Sequence, residues 1–395
     1  MVPAVRQLEF QLGGQGAWKT ELSSQMRVFF DTISTRMSYL SSLSITALFS
    51  IDTHSARFIG LLAHTLEGLQ NLEYVVLPPR VIVGKVIISL SHHPKLLEIN
   101  PATRGLSREE YSTASNVAPP KLEGSCFPSL RNISFCAIPR NFRAFLSHPH
   151  FPGSQILSLH VQVLESSRAS EHEPLDHLMK AISANCPNIG ELSVSETIGA
   201  NDNETALPFT SIHGILDSSR LTNLKIRVRA CLMWTAQEVD EFASSLPSAR
   251  TLLLNETPSE AVQPVVTIEA ALSTFARHCP ELRQLGFCFD ARSQRQPKFG
   301  HSQLSRFKSL VALHVGASPI DDNSDNLDNN NAEDIAAFLI AILPVECKLR
   351  WSYHGGEWGD DDEADDESFA GSPWQRVRQL QNLCKKVHRL LSGRI

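Results

Sequence analysis

No apolar run in this chain of 395 residues is long enough to span a bilayer, and no basic-then-apolar segment opens it. The expectation is therefore a soluble intracellular protein, cytoplasmic or nuclear, and not a secreted one. The eight cysteines lie far apart with no CxxC pair, which removes the spacing of a zinc or redox motif. Without a secretory signal the thiols are expected to stay reduced and to pack as small hydrophobes, and the N-x-S/T matches at Asn132, Asn203 and Asn255 carry no meaning. A net charge of −6 argues against a general nucleic-acid or anionic-membrane binder.

Phosphate and metal motifs are missing as well. Gly13-Gly14-Gln15-Gly16 lacks the Lys-Ser/Thr continuation of a phosphate loop, and the DDNSDNLDNNN tract at Asp321–Asn331 lacks the glycine and terminal glutamate of a calcium loop. The histidine pairs His92/His93, His148/His150 and His172/His177 have the look of metal ligands. His92, His93, His148 and His278, however, fall near prolines at the ends of helical stretches, where an imidazole suits the helix C-terminal dipole. Capping is the expected role. His278 and Cys279 are sequence neighbours, which does not aim one at the other, so no nucleophile is expected there. Neither a cofactor, a metal nor a catalytic set is expected.

What the chain does contain is a repeat. The spacing P-x-h-x-x-h-x-h (h apolar) starts at Pro3, Pro128, Pro187, Pro247 and Pro280, with a shortened copy at Pro94. The same apolar spacing recurs at Leu40/Leu43/Ile45, Leu72/Val75/Leu77, Ile156/Leu159/Val161, Leu221/Leu224/Ile226 and Leu310/Leu313/Val315, ending in a degenerate copy at Leu349/Trp351. About twelve copies at roughly 24–36 residues fall in the range of solenoid repeats. Between copies the period changes from 2 to 3.6, as in Leu175-Leu178-Met179-Ile182, so each unit is a short strand, a loop and a helix.

One unit cannot bury its own apolar stripe, so the units must stack. Strands pack about 4.8 Å apart and helices about 10 Å, so the stack must curve with its strands inside. The predicted fold is an α/β leucine-rich-repeat solenoid over 1–356, a horseshoe with its parallel sheet concave and its helices convex. Proline ends each helix and biases its predecessor to extended backbone. An acidic linker, 357–373, follows, and then an amphipathic helix, 374–391, with Val377, Leu380, Cys384, Val387 and Leu391 on one face, expected to cap the last repeat or to dock a partner. The first strand begins near Val5 with no cap before it, so either a segment is expected ahead of Met1 or 19–37 folds back.

Units such as CPNIGELSV, CPELRQLGF, HPKLLEIN and FPSLRNISF resemble the leucine-rich-repeat region of F-box proteins, especially the divergent fungal families. The resemblance implies a non-enzymatic substrate-recognition region of a cullin-RING ubiquitin ligase. The F-box itself is not found, so the ligase adaptor is an expected partner only if that module lies upstream. The alternative is a leucine-rich-repeat scaffold, or a regulator such as one acting on a small GTPase.

In either case the partner is a protein, not a nucleic acid or a membrane, and it is held on the concave face or on the rim where loops leave the strands. Alternation points every second strand residue at that face. The candidate contacts are Tyr74, His160, Glu191, Lys225, Arg227, Arg229, His314 and Arg350, with the LKIRVR segment as a site for an acidic group.

Overall fold

The computed structural model describes residues 5–12, 22–47, 56–82, 84–102, 121–124, 126–163, 175–196, 206–228, 231–255, 264–292, 305–321, 331–351 and 373–391. The chain forms two compact units, Met1–Gly199 and Ala200–Ile395. The division falls just after Glu196, in a stretch that departs from the repeat spacing.

In the first unit the order is β1 (Gln7–Leu12), α1 (Leu22–Arg36), β2 (Ser42–Ala47), α2 (Ala56–Gly68), β3 (Tyr74–Leu77), α3 (Gly84–Ser91), β4 (Glu98–Pro101), β5 (Asn132–Ala137), α4 (Pro139–Leu146), β6 (Ser158–Val163), α5 (Leu175–Asn185) and β7 (Glu191–Glu196). The strands lie side by side in chain order, each parallel to the next. Parallel neighbours need a crossover between them, and the helices supply it. The second unit contains β8 (Ala206–Leu207), α6 (Thr210–His213), β9 (Asn223–Arg227), β10 (Cys231–Leu232), α7 (Ala236–Ser245), β11 (Thr251–Leu254), α8 (Ile268–His278), β12 (Gln284–Phe287), β13 (Ala312–His314), α9 (Asn331–Ile342), β14 (Lys348–Arg350) and α10 (Pro373–Leu391). Its parallel ladder runs β9-β11-β12-β13-β14. Both units are α/β stacks in leucine-rich-repeat register.

The register explains the burial. Leu43, Val75, Ile99, Ile133, Leu159 and Leu192 occupy one rung of the first ladder, and all are at most 1% exposed. Leu224, Leu252, Leu285 and Leu313 do the same in the second, and Leu349 at the end of that rung is also buried. Fully burying each such side chain contributes about 1.5–3 kcal/mol, and a slip of one residue would turn the whole row outward. The first apolar residue of each copy sits ahead of its strand, in the turn. Leu40, Leu72, Leu130, Ile156, Ile189, Leu221, Leu282 and Leu310 are all buried there.

The turns bond each repeat to the one before it. Two successive amides donate to one carbonyl of the previous unit: Glu73 and Tyr74 to Ser41, Arg131 and Asn132 to Leu97, Arg283 and Gln284 to Arg250. Side chains add to this. Asn71 Nδ2 donates to Ser38 O at 2.8 Å, Ser129 Oγ to Pro94 O at 2.6 Å and Asn188 Nδ2 to Ser154 O at 2.7 Å. His93 does cap, as its position predicts: its Nδ1 lies 3.0 Å from Ser89 O on its own helix and its Nε2 2.8 Å from Leu66 O on the preceding one. Burial lowers its pKa, which favours the neutral ring. His278 instead faces Asp240 Oδ1 at 3.1 Å.

Several features differ from the expectation. Within the 19–37 stretch, Leu22–Arg36 is a regular helix. It half-covers the first strand's apolar row, with Phe29 at 5.0 Å and Phe30 at 6.2 Å from the Phe10 ring. The parallel pair β8/β10 and the short helix α6 were not signalled by the repeat. They close over Trp234, which is fully buried against Phe209 at 5.4 Å and Phe287 at 5.9 Å. On α10, Trp374 and Val377 are buried, with Trp374 Nε1 donating to Ser318 O at 2.9 Å, while Cys384 and Val387 of the predicted apolar face are exposed. The phosphate-loop look-alike at 13–16, most of the Asp321–Asn331 tract and the acidic run 357–367 lie outside the described residues. Among the described residues no helix is long and apolar enough to cross a membrane.

Candidate protein-binding face

Alternation along each strand separates a buried row from an open one. In the first unit the open row reads Gln7, Ser42, Tyr74, Glu98, Asn132, Ser158, Glu191, and the next reads Glu9, Ser44, Val76, Asn100, Ser134, His160, Ser193. Every one of these side chains retains solvent exposure while its sequence neighbours on the strand are more buried. The rows contain Glu9, Glu98 and Glu191 and no Lys or Arg. A small polar network crosses the strands. Asn132 Nδ2 donates to Glu98 Oε2 at 3.1 Å, Asn100 Nδ2 donates to the other carboxylate oxygen, and Ser158 Oγ lies 3.0 Å from His160 Nε2. Cys136 also belongs to this face and not to the core; its thiol donates to Gln162 Oε1 at 3.1 Å.

Of the candidate contacts, Tyr74 and Glu191 share a rung four strands apart, and His160 lies one rung further along, on β6 beside β7. Tyr74 is 44% exposed, an amphipathic ring of the kind that anchors interfaces. Glu98, which strand alternation places on the same face, is not among the candidate contacts. It is the residue around which the polar network converges, and two strand-borne amides orient its carboxylate.

The second unit carries the opposite sign. Its open rows are Asn223, Thr251, Gln284, Ala312, Lys348, and Lys225, Leu253, Gly286, His314, Arg350. Arg227 follows at the end of β9. Lys225, Arg227 and Arg350 are half-buried and Lys348 is exposed, and neither row contains an acid. The register therefore brings Lys225, His314 and Arg350 onto one rung; Arg229 lies outside the described residues.

His314 departs from the expected exposed position. It points to the open face but is 4% exposed, as is Ala312 two residues before it. Burial, helped by the Arg350 charge, lowers its pKa to about 4, so the ring is neutral at physiological pH. Sequence alternation assigns the face correctly but cannot say whether other parts of the chain reach over it.

Among the described residues no three His, Cys, Asp or Glu side chains converge as metal ligands. The buried thiols of Cys186, Cys279 and Cys347 are pushed up to about 12 by desolvation, which disfavours the thiolate. What the ladders present is an extended surface of polar and charged groups at fixed 4.8 Å intervals, suited to holding another macromolecule.

No family model matches this chain, and no curated protein does. Among solved structures the chain is similar to the crystal structure of a TLR13–ssRNA13 complex, at 14% identity with a TM-score of 0.35 over 74% of this chain and 38% of that one. The chain thus spans well under half the length of that protein.

Proposed function

We propose that this chain is a protein-recognition module whose partner lies along the open faces of the strand ladders, and that it serves as the target-binding repeats of an F-box-type receptor in a cullin-RING ubiquitin ligase. The observation that carries the recognition role is the first unit's open face. Seven consecutive strands present side chains in register, all accessible and all polar but Val76, above rows that are otherwise core. Such a surface offers many weak, directional contacts over a long arc, which suits protein recognition better than small-molecule chemistry. The ligase assignment is supported by the resemblance of the repeat strands to those of F-box proteins. In that role the chain supplies no catalytic group; it holds a target near another protein's active cysteine.

The test is affinity purification of the tagged gene product from its source cells, with and without Tyr74→Ala/Glu98→Lys on the first unit's face. Recovery of a cullin and its adaptor with both forms, and of a target protein with the unmutated form only, is the expected result. A target bound without any cullin would leave the recognition role and remove the ligase, making the chain a scaffold or regulator. A target retained fully by the double variant would remove this face from recognition.

A further inference from the structure

Tyr74 on β3 and Glu98 on β4 stand directly opposite each other in the register of the first unit. Their side chains therefore rise from the open face one strand-to-strand step, about 4.8 Å, apart. On the other side of Tyr74 the register places Ser42 of β2, too short to cover a ring, and Tyr74 is 44% exposed. It is the only Phe, Tyr or Trp on the two open rows of that unit.

Glu98 is held in place by neutral donors. Asn132 Nδ2 donates to its Oε2 at 3.1 Å and Asn100 Nδ2 to its Oε1, so both carboxylate oxygens are oriented before any partner arrives. A carboxylate offers about four acceptor sites, and these two bonds leave about half of them open. The side chain is half-buried, which leaves it within reach of a partner while removing part of its water, and among the described residues no cation pairs with it.

An aromatic ring beside an oriented carboxylate selects among cations. A guanidinium is planar, so it can lie flat on the ring and direct the N–H groups in its own plane at both carboxylate oxygens. An ammonium has no plane to lay on the ring. A methylated ammonium calls for a cage of several rings, whereas this face supplies one.

We propose that Tyr74 and Glu98 form an anchor point for one arginine side chain of the partner protein, its guanidinium stacked on the Tyr74 ring and paired with the Glu98 carboxylate. The inference rests on the recognition role proposed above and adds to it the residue type that the first unit's face selects.

Three peptides test this, acetyl-Gly-Ser-Gly-X-Gly-Ser-Gly-amide with X arginine, lysine or citrulline; citrulline keeps a planar, hydrogen-bonding head without the charge. Each is titrated against the full chain at about 0.15 M salt by ligand-observed NMR. The arginine peptide is expected to bind with millimolar affinity, at least about tenfold more tightly than the citrulline peptide and about threefold more tightly than the lysine peptide. Glu98→Gln should cost about tenfold and Tyr74→Leu about threefold, with unchanged circular dichroism and melting, while Tyr74→Phe, which keeps the ring, should bind as the unmutated chain does. Equal affinity for the arginine and lysine peptides would mean unspecific attraction of cations and overturn the proposal. So would no binding, binding unaltered by both Glu98→Gln and Tyr74→Leu, or a loss on Tyr74→Phe as large as on Tyr74→Leu. If the peptides behave as expected while the cellular target binds both variants normally, the arginine anchor stands and the target uses another face. If the cellular target is lost with Glu98→Gln although the arginine and lysine peptides bind alike, recognition stands and the arginine anchor falls.

Discussion

Lowering the pH from 7 to 5 should destabilise the second unit through His314. The ring is 4% exposed and its pKa is depressed to about 4 from the ordinary 6.5 by burial and by Arg350. In the unfolded chain the residue takes up a proton as the pH passes below 6.5, while the folded ring stays neutral until about 4. Over that window the unfolded state binds more protons, so stability present above pH 6.5 is lost as the pH falls. Each unit of pH in the window costs about 1.4 kcal/mol, giving about 2 kcal/mol at pH 5.

The assay is urea unfolding at both pH values, followed by tryptophan fluorescence. Four of the five tryptophans, at positions 234, 351, 358 and 374, lie in the second unit, so the signal reports mainly there. The control is His314→Leu, which keeps the bulk and removes the titration. Wild type should lose about 2 kcal/mol more than the variant between pH 7 and 5. His93, depressed in the same direction by its own burial, lies in the first unit and is common to both proteins, so it cancels in the difference. Equal losses in the two proteins would refute the reasoning, because a buried neutral His314 cannot avoid this linkage.

Two further outcomes test the register and the packing. Leu285, fully buried on the core rung of β12, should not tolerate Asp: burying an unpaired carboxylate there should remove more than about 3 kcal/mol and lower the second unit's melting temperature, and an unchanged melt would contradict the register. Gly153 leaves no room for a side chain, since an added Cβ would stand 1.9 Å from Asn185 O at the end of α5. Gly153→Ala should therefore destabilise the first unit by about 1–3 kcal/mol, measured by circular dichroism; a neutral effect would show that the α5 terminus yields freely.

How much of this was legible in the residues depends on the range of the interaction responsible. The apolar spacing Leu192-x-Val194 or Leu285-x-Phe287 announces a strand and its buried side because alternation is a local property of extended backbone. Pro187 after Cys186 and Pro280 after Cys279 announce the helix ends because proline's restrictions are local too; Cys279 is the helix C-cap, with ψ of 72°. By contrast β8, α6 and β10 escaped the reading. Their strands are two residues long, and what holds them is contact with Trp234, a residue far from β8 in sequence. The helical angle places Cys384 on the apolar face of α10, yet the thiol is exposed, because the buried side chains of that helix are Trp374, Val377 and Gln381 among the described residues.

The sequence by itself determined the repeat unit, its register and the list of side chains on the open rows, because each follows from spacing along the backbone. Which of those side chains become neighbours was decided by the ladder. It sets Lys225 and Arg350 on one rung although 125 residues separate them, segregates carboxylates onto the first unit's face and cations onto the second's, and brings Asn132 beside Glu98. The burial of His314 was also a tertiary outcome. Strand alternation states which way a side chain points, whereas its exposure, its pKa and its charge depend on what the rest of the chain brings over it.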